Sequence, residues 1–336
     1  MSFICFTILR RAVCVRKVIF MKKKAISAIL AASFVLGMAG CSKDDKSADE
    51  TSNETVAETQ AVETEAEPAE TEVAETEVAE TESADETLKV VSISPELTEI
   101  IFALGAQDML VGVSAYDDYP ADVFNYPVVG DLYTPDVEAI VACEPDFVLA
   151  SSFLDDDTVA ALDEYGINVM VVTEGTDIEG MFDLIAQVAE VLGVEEAGDD
   201  LIADTQAALE SIEVVPVDAT VYYVVGYGEW GDYTAGAGTF IDSIITTAGA
   251  QNAAADVEGW TIDLEALLEA DPDVIIISQW MYDDFIATEP YASLTAVQEG
   301  RVISVDANIF ERQTPRNVEA VEVIVDAVAD YATAEA

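Results

Sequence analysis

The feature that most restricts the fold is a segment that occurs twice. Thr134-Pro-Asp-Val-Glu-Ala-Ile-Val-Ala-Cys-Glu-Pro-Asp-Phe-Val-Leu-Ala-Ser-Ser152 aligns without a gap with Thr261-Ile-Asp-Leu-Glu-Ala-Leu-Leu-Glu-Ala-Asp-Pro-Asp-Val-Ile-Ile-Ile-Ser-Gln279, 127 residues on from 134 to 261. A second pair precedes it, Ile100 to Gln107 and Ile244 to Gln251, and a third follows, Val169 to Val172 and Val302 to Val305. The order is the same both times, so the chain is expected to form two similar α/β lobes.

Within each copy, apolar runs alternate with helical patterns. Val90 to Ser94, Phe147 to Ala150 and Asn168 to Val172 read as strands of the first lobe, and Val221 to Val225, Val274 to Ile277 and Val302 to Val305 as their counterparts. Short, wholly apolar runs suit strands covered on both faces, and alternation with helices predicts a parallel sheet in each lobe. Ser94-Pro95 reads as a helix cap followed by a first-turn proline. Between the copies, Ile178 to Leu192 and Glu195 to Ile212 show helical periodicity with polar faces. One helical crossover should act as a stiff hinge. The expected segments are 88–177 for the first lobe, 178–213 for the linking helices and 214–336 for the second lobe.

The N-terminus carries an address. Met21-Lys-Lys-Lys, the apolar run Ala25 to Met38 and the small-residue site Met38-Ala-Gly-Cys41 follow the order of a secretory signal. The cysteine at the cleavage point resembles a bacterial lipobox, in which Cys41 is lipidated. A membrane-spanning anchor is the alternative, but the run falls short of the ~20 residues a span needs. Residues 1–20 hold a second basic-apolar pattern, so translation is expected to start at Met21, with the signal occupying the rest of 1–41. Residues 42–87 are dominated by Glu, Thr, Ala, Val, Asp and Ser; such a tract repels itself and predicts an extended, disordered tether.

Charge removes several classes of function. The chain has 67 acidic residues, 13 basic ones and no histidine, for a net charge of -54. Nucleic acid is excluded as a partner, because phosphate binding needs Lys and Arg. The folded region holds only Lys89, Arg301, Arg312 and Arg316. Zinc and manganese lack nitrogen ligands. Cys143 stands alone in that region, with no histidine to activate it as a nucleophile. Gly226 to Gly238 does not have dinucleotide spacing and reads as a flexible loop.

Lys89-Val-Val-Ser-Ile-Ser-Pro-Glu-Leu-Thr-Glu-Ile-Ile-Phe-Ala-Leu-Gly105, Val111-Gly-Val-Ser-Ala-Tyr-Asp-Asp-Tyr-Pro120, Pro127-Val-Val-Gly130 and Phe310-Glu-Arg-Gln-Thr-Pro-Arg316 together resemble the iron-siderophore and cobalamin class of ABC solute-binding proteins, over roughly residues 88 to 330. Ser114 to Pro120 and Phe310 to Arg316 are most similar to the cobalamin-binding pattern. The resemblance implies two Rossmann-like lobes joined by a single rigid helix, a ligand cleft between them, no catalysis, and an ABC permease and ATPase as partners. It implies a monomer held to the outer face of a bacterial membrane by its lipid. In the family, one glutamate per lobe pairs with permease arginines; Glu138 and Glu265 match that role, although an acidic residue in a first helical turn also stabilises the helix dipole.

Ligands of α/β sheets sit beyond the carboxyl ends of the strands. Tyr116, Tyr119, Tyr133, Tyr227, Trp230, Tyr233, Trp260 and Trp280 fall there, with Phe310 and Arg312, and Tyr116, Trp260 and Arg312 match pocket positions of the family. Aromatic walls suit a large, flat ligand. Arg316 is expected to pair locally with Glu319 or Glu311, leaving Arg312 as the one usable cation. A neutral, zwitterionic or cationic chelate is then favoured: cobalamin or another corrinoid, or a ferric hydroxamate siderophore. Haem held by tyrosine remains open. So do a surface sensor or adhesin on the same fold, and an enzyme working through carboxylates.

Overall fold

The computed structural model describes residues 87–151, 154–215 and 217–335. The expected signal, lipidated Cys41, start at Met21 and acidic tether lie outside them. The described residues lie within one compact unit.

Both copies of the repeat fold alike. The first contains β1 (Val90–Ser92), α1 (Pro95–Ala103), β2 (Leu110–Gly112), α2 (Val137–Ala142), β3 (Phe147–Ala150), α3 (Asp156–Glu164) and β4 (Asn168–Val171). Its sheet is parallel throughout, in the order β2-β1-β3-β4. After α4 (Ile178–Leu192) and α5 (Glu195–Ser211) come β5 (Thr220–Gly226), β6 (Asp232–Thr234), α6 (Phe240–Thr247), β7 (Gln251–Asn252), β8 (Thr261–Ile262), α7 (Leu264–Ala270), β9 (Val274–Ser278), α8 (Tyr282–Ala287), α9 (Thr295–Gln298), β10 (Val302–Val305), α10 (Asn308–Glu311) and α11 (Asn317–Glu335). The parallel set β7-β5-β9-β10 repeats the first sheet strand for strand. Register repeats too: Val148 faces Val169 as Ile275 faces Val302. Even the strained turns recur, since Glu144 (φ 49°) and Asp271 (φ 37°) occupy the same repeat position, each before a proline.

Two expectations need correction. The second sheet is mixed, not parallel: β6 runs antiparallel to β5, and β8 antiparallel to β6. Residues 226–238 therefore hold a strand rather than a free loop, and β6 takes the carboxyl half of the β5 edge while β7 takes the amino half. The connection between the sheets is the pair of helices that the periodicity predicts, where the family resemblance implied a single one. They meet at Gly193, whose φ of 71° closes α4, and they pack closely where Gly198 faces Ala189.

Period-two alternation sorts the strand residues into layers. Val90, Phe147, Leu149, Val221, Tyr223, Val274 and Ile276 point into one continuous core, which runs through both sheets by way of α4. Val91, Val148 and Ala150 face a separate core on the far side of the first sheet, and Tyr222, Val224, Ile275 and Ile277 one on the far side of the second. The α4 stripe Met181, Leu184, Ile185, Val188 and Leu192 is buried at helical spacing. Each such side chain contributes about 1.5–3 kcal/mol on burial, so α4 joins the sheets through shared core.

Candidate functional site

Helices that connect parallel strands run back against them, so the first turns of α1, α2, α6 and α7 lie at the carboxyl edges of the sheets, as do the loops after β2, β5, β9 and β10. Most of the residues singled out from sequence sit in these loops. Trp230, after β5, and Trp280, after the neighbouring β9, are 89% and 87% exposed. Tyr116, Tyr133 and Trp260 are also exposed. Large aromatics left uncovered at a strand edge form surface that a ligand can bury.

The loop carrying Trp230 is anchored below its tip. Tyr227 donates from its hydroxyl to Asp284 Oδ2 at 2.8 Å, and its ring packs edge-on against Phe285 and Tyr291, with centroids at 5.0 and 5.1 Å. Tyr291 donates to Asp232 Oδ1 at 2.6 Å and accepts from the Gly228 backbone N–H at 3.1 Å. Burial, then the Asp284 carboxylate, pushes the Tyr227 phenol up to about 12. That makes it a poor phenolate donor to a metal.

Phe310 requires correction. It is fully buried, with its ring 5.2 Å from that of Tyr223, and belongs to the shared core rather than to the cleft wall. Its place next to a motif arginine, not its side chain, suggested a binding role.

Arg312 and Arg316 bind residues of the first repeat. Arg312 donates from Nη1 to Glu99 Oε1 (2.8 Å) and Asp118 Oδ1 (2.6 Å), and from Nη2 to the Tyr116 carbonyl (3.1 Å). Arg316 donates to the same Glu99 Oε1 at 3.2 Å and to Asp306 Oδ2 at 3.0 Å, and its guanidinium lies 4.1 Å from the Tyr119 ring centroid. Its expected pairing with Glu319 or Glu311 is not the one formed. Asn308 Nδ2 donates to Asp118 Oδ2 (2.9 Å), while Gln313 and Gly175 exchange a reciprocal pair of hydrogen bonds at 2.7 and 2.9 Å. Together these contacts make a polar clasp between the two repeats.

The electrostatics fit this arrangement. Burial opposes the Arg312 charge, yet hydrogen bonds to Glu99 and Asp118 hold its pKa above the usual value. Burial pushes the Glu99 carboxyl up, against the pull of Arg312 and Arg316. The two partners differ because Glu99 is the more enclosed, at 3% against 11% exposure. Beside them, burial and then the Glu174 carboxylate raise Glu96 to about 7. An ion pair this enclosed fixes alignment more than it stabilises, but removing one partner costs about 3–5 kcal/mol.

Sequence reasoning missed Glu99, Asp118, Asn308 and Gln313. All four lie in or beside the quoted motifs, but only the fold shows that those motifs meet. Glu138 and Glu265 occupy the exposed first turns of α2 and α7, at one repeat position. Neither carboxylate has a hydrogen bond or ion pair among the described residues. Those residues also hold no group of three or more His, Cys, Asp or Glu able to hold a metal ion.

Comparison with known proteins gives a consistent picture. The chain is 30% identical over 253 residues to the Uncharacterized ABC transporter substrate-binding lipoprotein YvrC of Bacillus subtilis (strain 168), covering 72% of this chain and 80% of that one. It is 31% identical over 252 residues to a Cobalamin-binding protein of Halobacterium salinarum, covering 70% and 67%. Among solved structures, the periplasmic heme-binding protein BhuT in complex with two hemes is similar, with a TM-score of 0.65 and 28% identity over 72% of this chain and 98% of that one. The model of the family described as Periplasmic binding protein matches residues 90–309, and this chain belongs to that family.

Proposed function

We propose that this chain is the lipid-anchored, substrate-binding component of an ABC importer, and that its cargo is a corrinoid or an uncharged or cationic ferric chelate. The observation that carries the choice of cargo is the fate of the cations. Arg312 and Arg316 are the basic groups at the carboxyl edges, and both are spent on Glu99, Asp118 and Asp306. An anionic catecholate or the carboxylates of haem would meet no free guanidinium there. The exposed rings of Tyr116, Tyr133, Trp230, Trp260 and Trp280 offer flat apolar contact instead. Likeness to cobalamin-binding and lipoprotein relatives supports the same reading. Likeness to BhuT keeps haem as the second reading, with exposed Tyr116 or Tyr133 as the donor.

Capture is by binding, and the protein acts as a monomer on the outer face of the membrane, tethered through Cys41. Glu138 and Glu265 meet the permease. Titrating the full-length chain with cyanocobalamin, ferrioxamine, ferric enterobactin and hemin, followed by tryptophan quenching, tests the cargo. One-to-one quenching by cyanocobalamin or ferrioxamine, reduced in Trp280→Ala, is expected. Silence across the panel, or preference for enterobactin or hemin, overturns the assignment.

A further inference from the structure

The segment between β4 and α4 is fastened from two directions. Its ends are tied to α4: Thr173 N–H donates to Gln187 Oε1 at 3.3 Å, and Asp177 Oδ1 accepts from the Gly180 N–H at 2.8 Å. Between them, Gly175 is pressed so closely on Gly180 that neither has room for a Cβ. Across the junction, Gly175 and Gln313 exchange the reciprocal hydrogen bonds of the clasp. Glu174 directly precedes Gly175. Its half-buried carboxyl lies within hydrogen-bonding reach of that of Glu96, in the first turn of α1. One turn further along α1, Glu99 takes both arginines. The Glu96–Glu174 contact therefore adjoins two separate contacts of the clasp.

Two carboxyls in contact can share a proton, but once both are ionised they repel. The cation facing Glu96 is Arg312, which is already bonded to Glu99, Asp118 and the Tyr116 carbonyl. Asp117 and Glu311 face the same guanidinium, and Arg316 is shared by Glu99 and Asp306. The arginines are thus outnumbered by the carboxyls around them. Burial and the Glu174 carboxylate accordingly raise Glu96 to about 7, and burial raises Glu174 as well. When the shared proton leaves, the two carboxylates push the segment away from α1. Gly175 has no room to move further onto Gly180, so the displacement falls on its bonds to Gln313. An ionised Glu96 also competes with Glu99 for Arg312.

We infer that the Glu96–Glu174 pair is a proton-dependent latch on the clasp: with one proton shared between the carboxyls the segment holds Gln313, and with both ionised it lets go. By linkage, the clasped state binds that proton more tightly, so rising pH favours release. The latch needs no cargo to operate. Under the import reading it ties the receptive arrangement of the repeats to the ambient pH.

The Gly175 amide reports the latch directly, because its bond to Gln313 Oε1 is the one that breaks. Its hydrogen exchange is followed by NMR in the isotope-labelled full-length chain, without ligand, at about pH 5.5 and about pH 8, each rate divided by the intrinsic rate at that pH. Protection at Gly175 should fall by about tenfold or more between the two. Thr173, whose bond to Gln187 does not cross the junction, should change by less than about threefold. Glu96→Gln and Glu174→Gln each remove the repulsion and should hold Gly175 within about threefold across the same range. Unchanged protection at Gly175 in the parent, a fall matched by Thr173, or a fall that persists in either variant overturns the inference. Since no cargo is present, the result does not depend on the import reading.

Discussion

Raising the pH from about 5.5 to about 8 should destabilise this protein, and Glu96→Gln should remove much of that dependence. Glu96 has an ordinary carboxyl value of 4.5 when unfolded and about 7 when folded, from burial first and the Glu174 carboxylate second. A raised folded value means that the native state holds the proton more tightly. The associated stability is complete below about 4.5 and disappears as the pH passes about 7. At 1.36 kcal/mol per pH unit the whole effect is roughly 3 kcal/mol, of which about 2 falls between pH 5.5 and 8. Glu99, Asp117, Glu174 and Glu311 are also raised by burial and push the same way, as does self-repulsion at a net charge of -54. Asp131, Asp155 and Asp273 are lowered, so their contribution is already complete across this range and does not vary. Urea unfolding of parent and variant at both pH values, followed by far-ultraviolet circular dichroism, isolates the Glu96 part as the difference between the two slopes. Equal slopes would refute the reasoning, and so would a parent more stable at pH 8.

Four further outcomes are expected. Glu144→Gly should stabilise the fold by about 1 kcal/mol in denaturant titrations, because glycine relieves a left-handed residue with no side-chain bond to lose. Asp271→Gly, at the matching position, should give no gain, since the Asp271 carboxylate accepts from Thr295 N at 2.8 Å and Oγ1 at 2.6 Å. Glu138→Ala combined with Glu265→Ala should abolish uptake in cells while leaving ligand affinity within about twofold; lost affinity would instead place these residues in the cleft. Cys41→Ser should release the protein from the membrane fraction, and continued attachment would refute lipidation.

How much was legible in the sequence follows from what duplication copies. The gapless match around Pro145 and Pro272 located β3 and β9, and Val169 and Val302 located the edge strands β4 and β10, because strand register is written in local pattern. β6 has no counterpart in the first copy, and Thr134 and Pro135, which align with β8, hold only an isolated bridge from Pro135 to Gly130, so the repeat could not reveal either strand. They are also only three and two residues long, too short for alternation to show. Ser94 was read as a helix cap from its place before Pro95. In the fold its Oγ instead accepts from the Ser151 backbone N–H at 3.2 Å, a partner 57 residues away that no local pattern announces. Arg316 failed as an expectation for the same reason. Glu319 and Glu311 are near in sequence, but Glu99 is brought there by the meeting of α1 with the segment between α10 and α11.

The placement of the arginines bears on transport. Of the four basic residues in the described chain, two sit where the repeats meet and pair with Glu99, Asp118 and Asp306. A shared apolar core through α4 could hold the sheets together but would leave their angle loosely set, since apolar contacts are not directional. Guanidinium–carboxylate bonds are directional, so the clasp selects one angle from those the core allows. Such bonds add little net stability, although stripping Glu99 of its partners would leave a buried charge and cost about 3–5 kcal/mol. The clasp can therefore specify the receptive arrangement, and it opens when water or a partner takes over its charged groups. A protein that must hold cargo and then surrender it needs that combination, and a junction packed with leucine would not supply it.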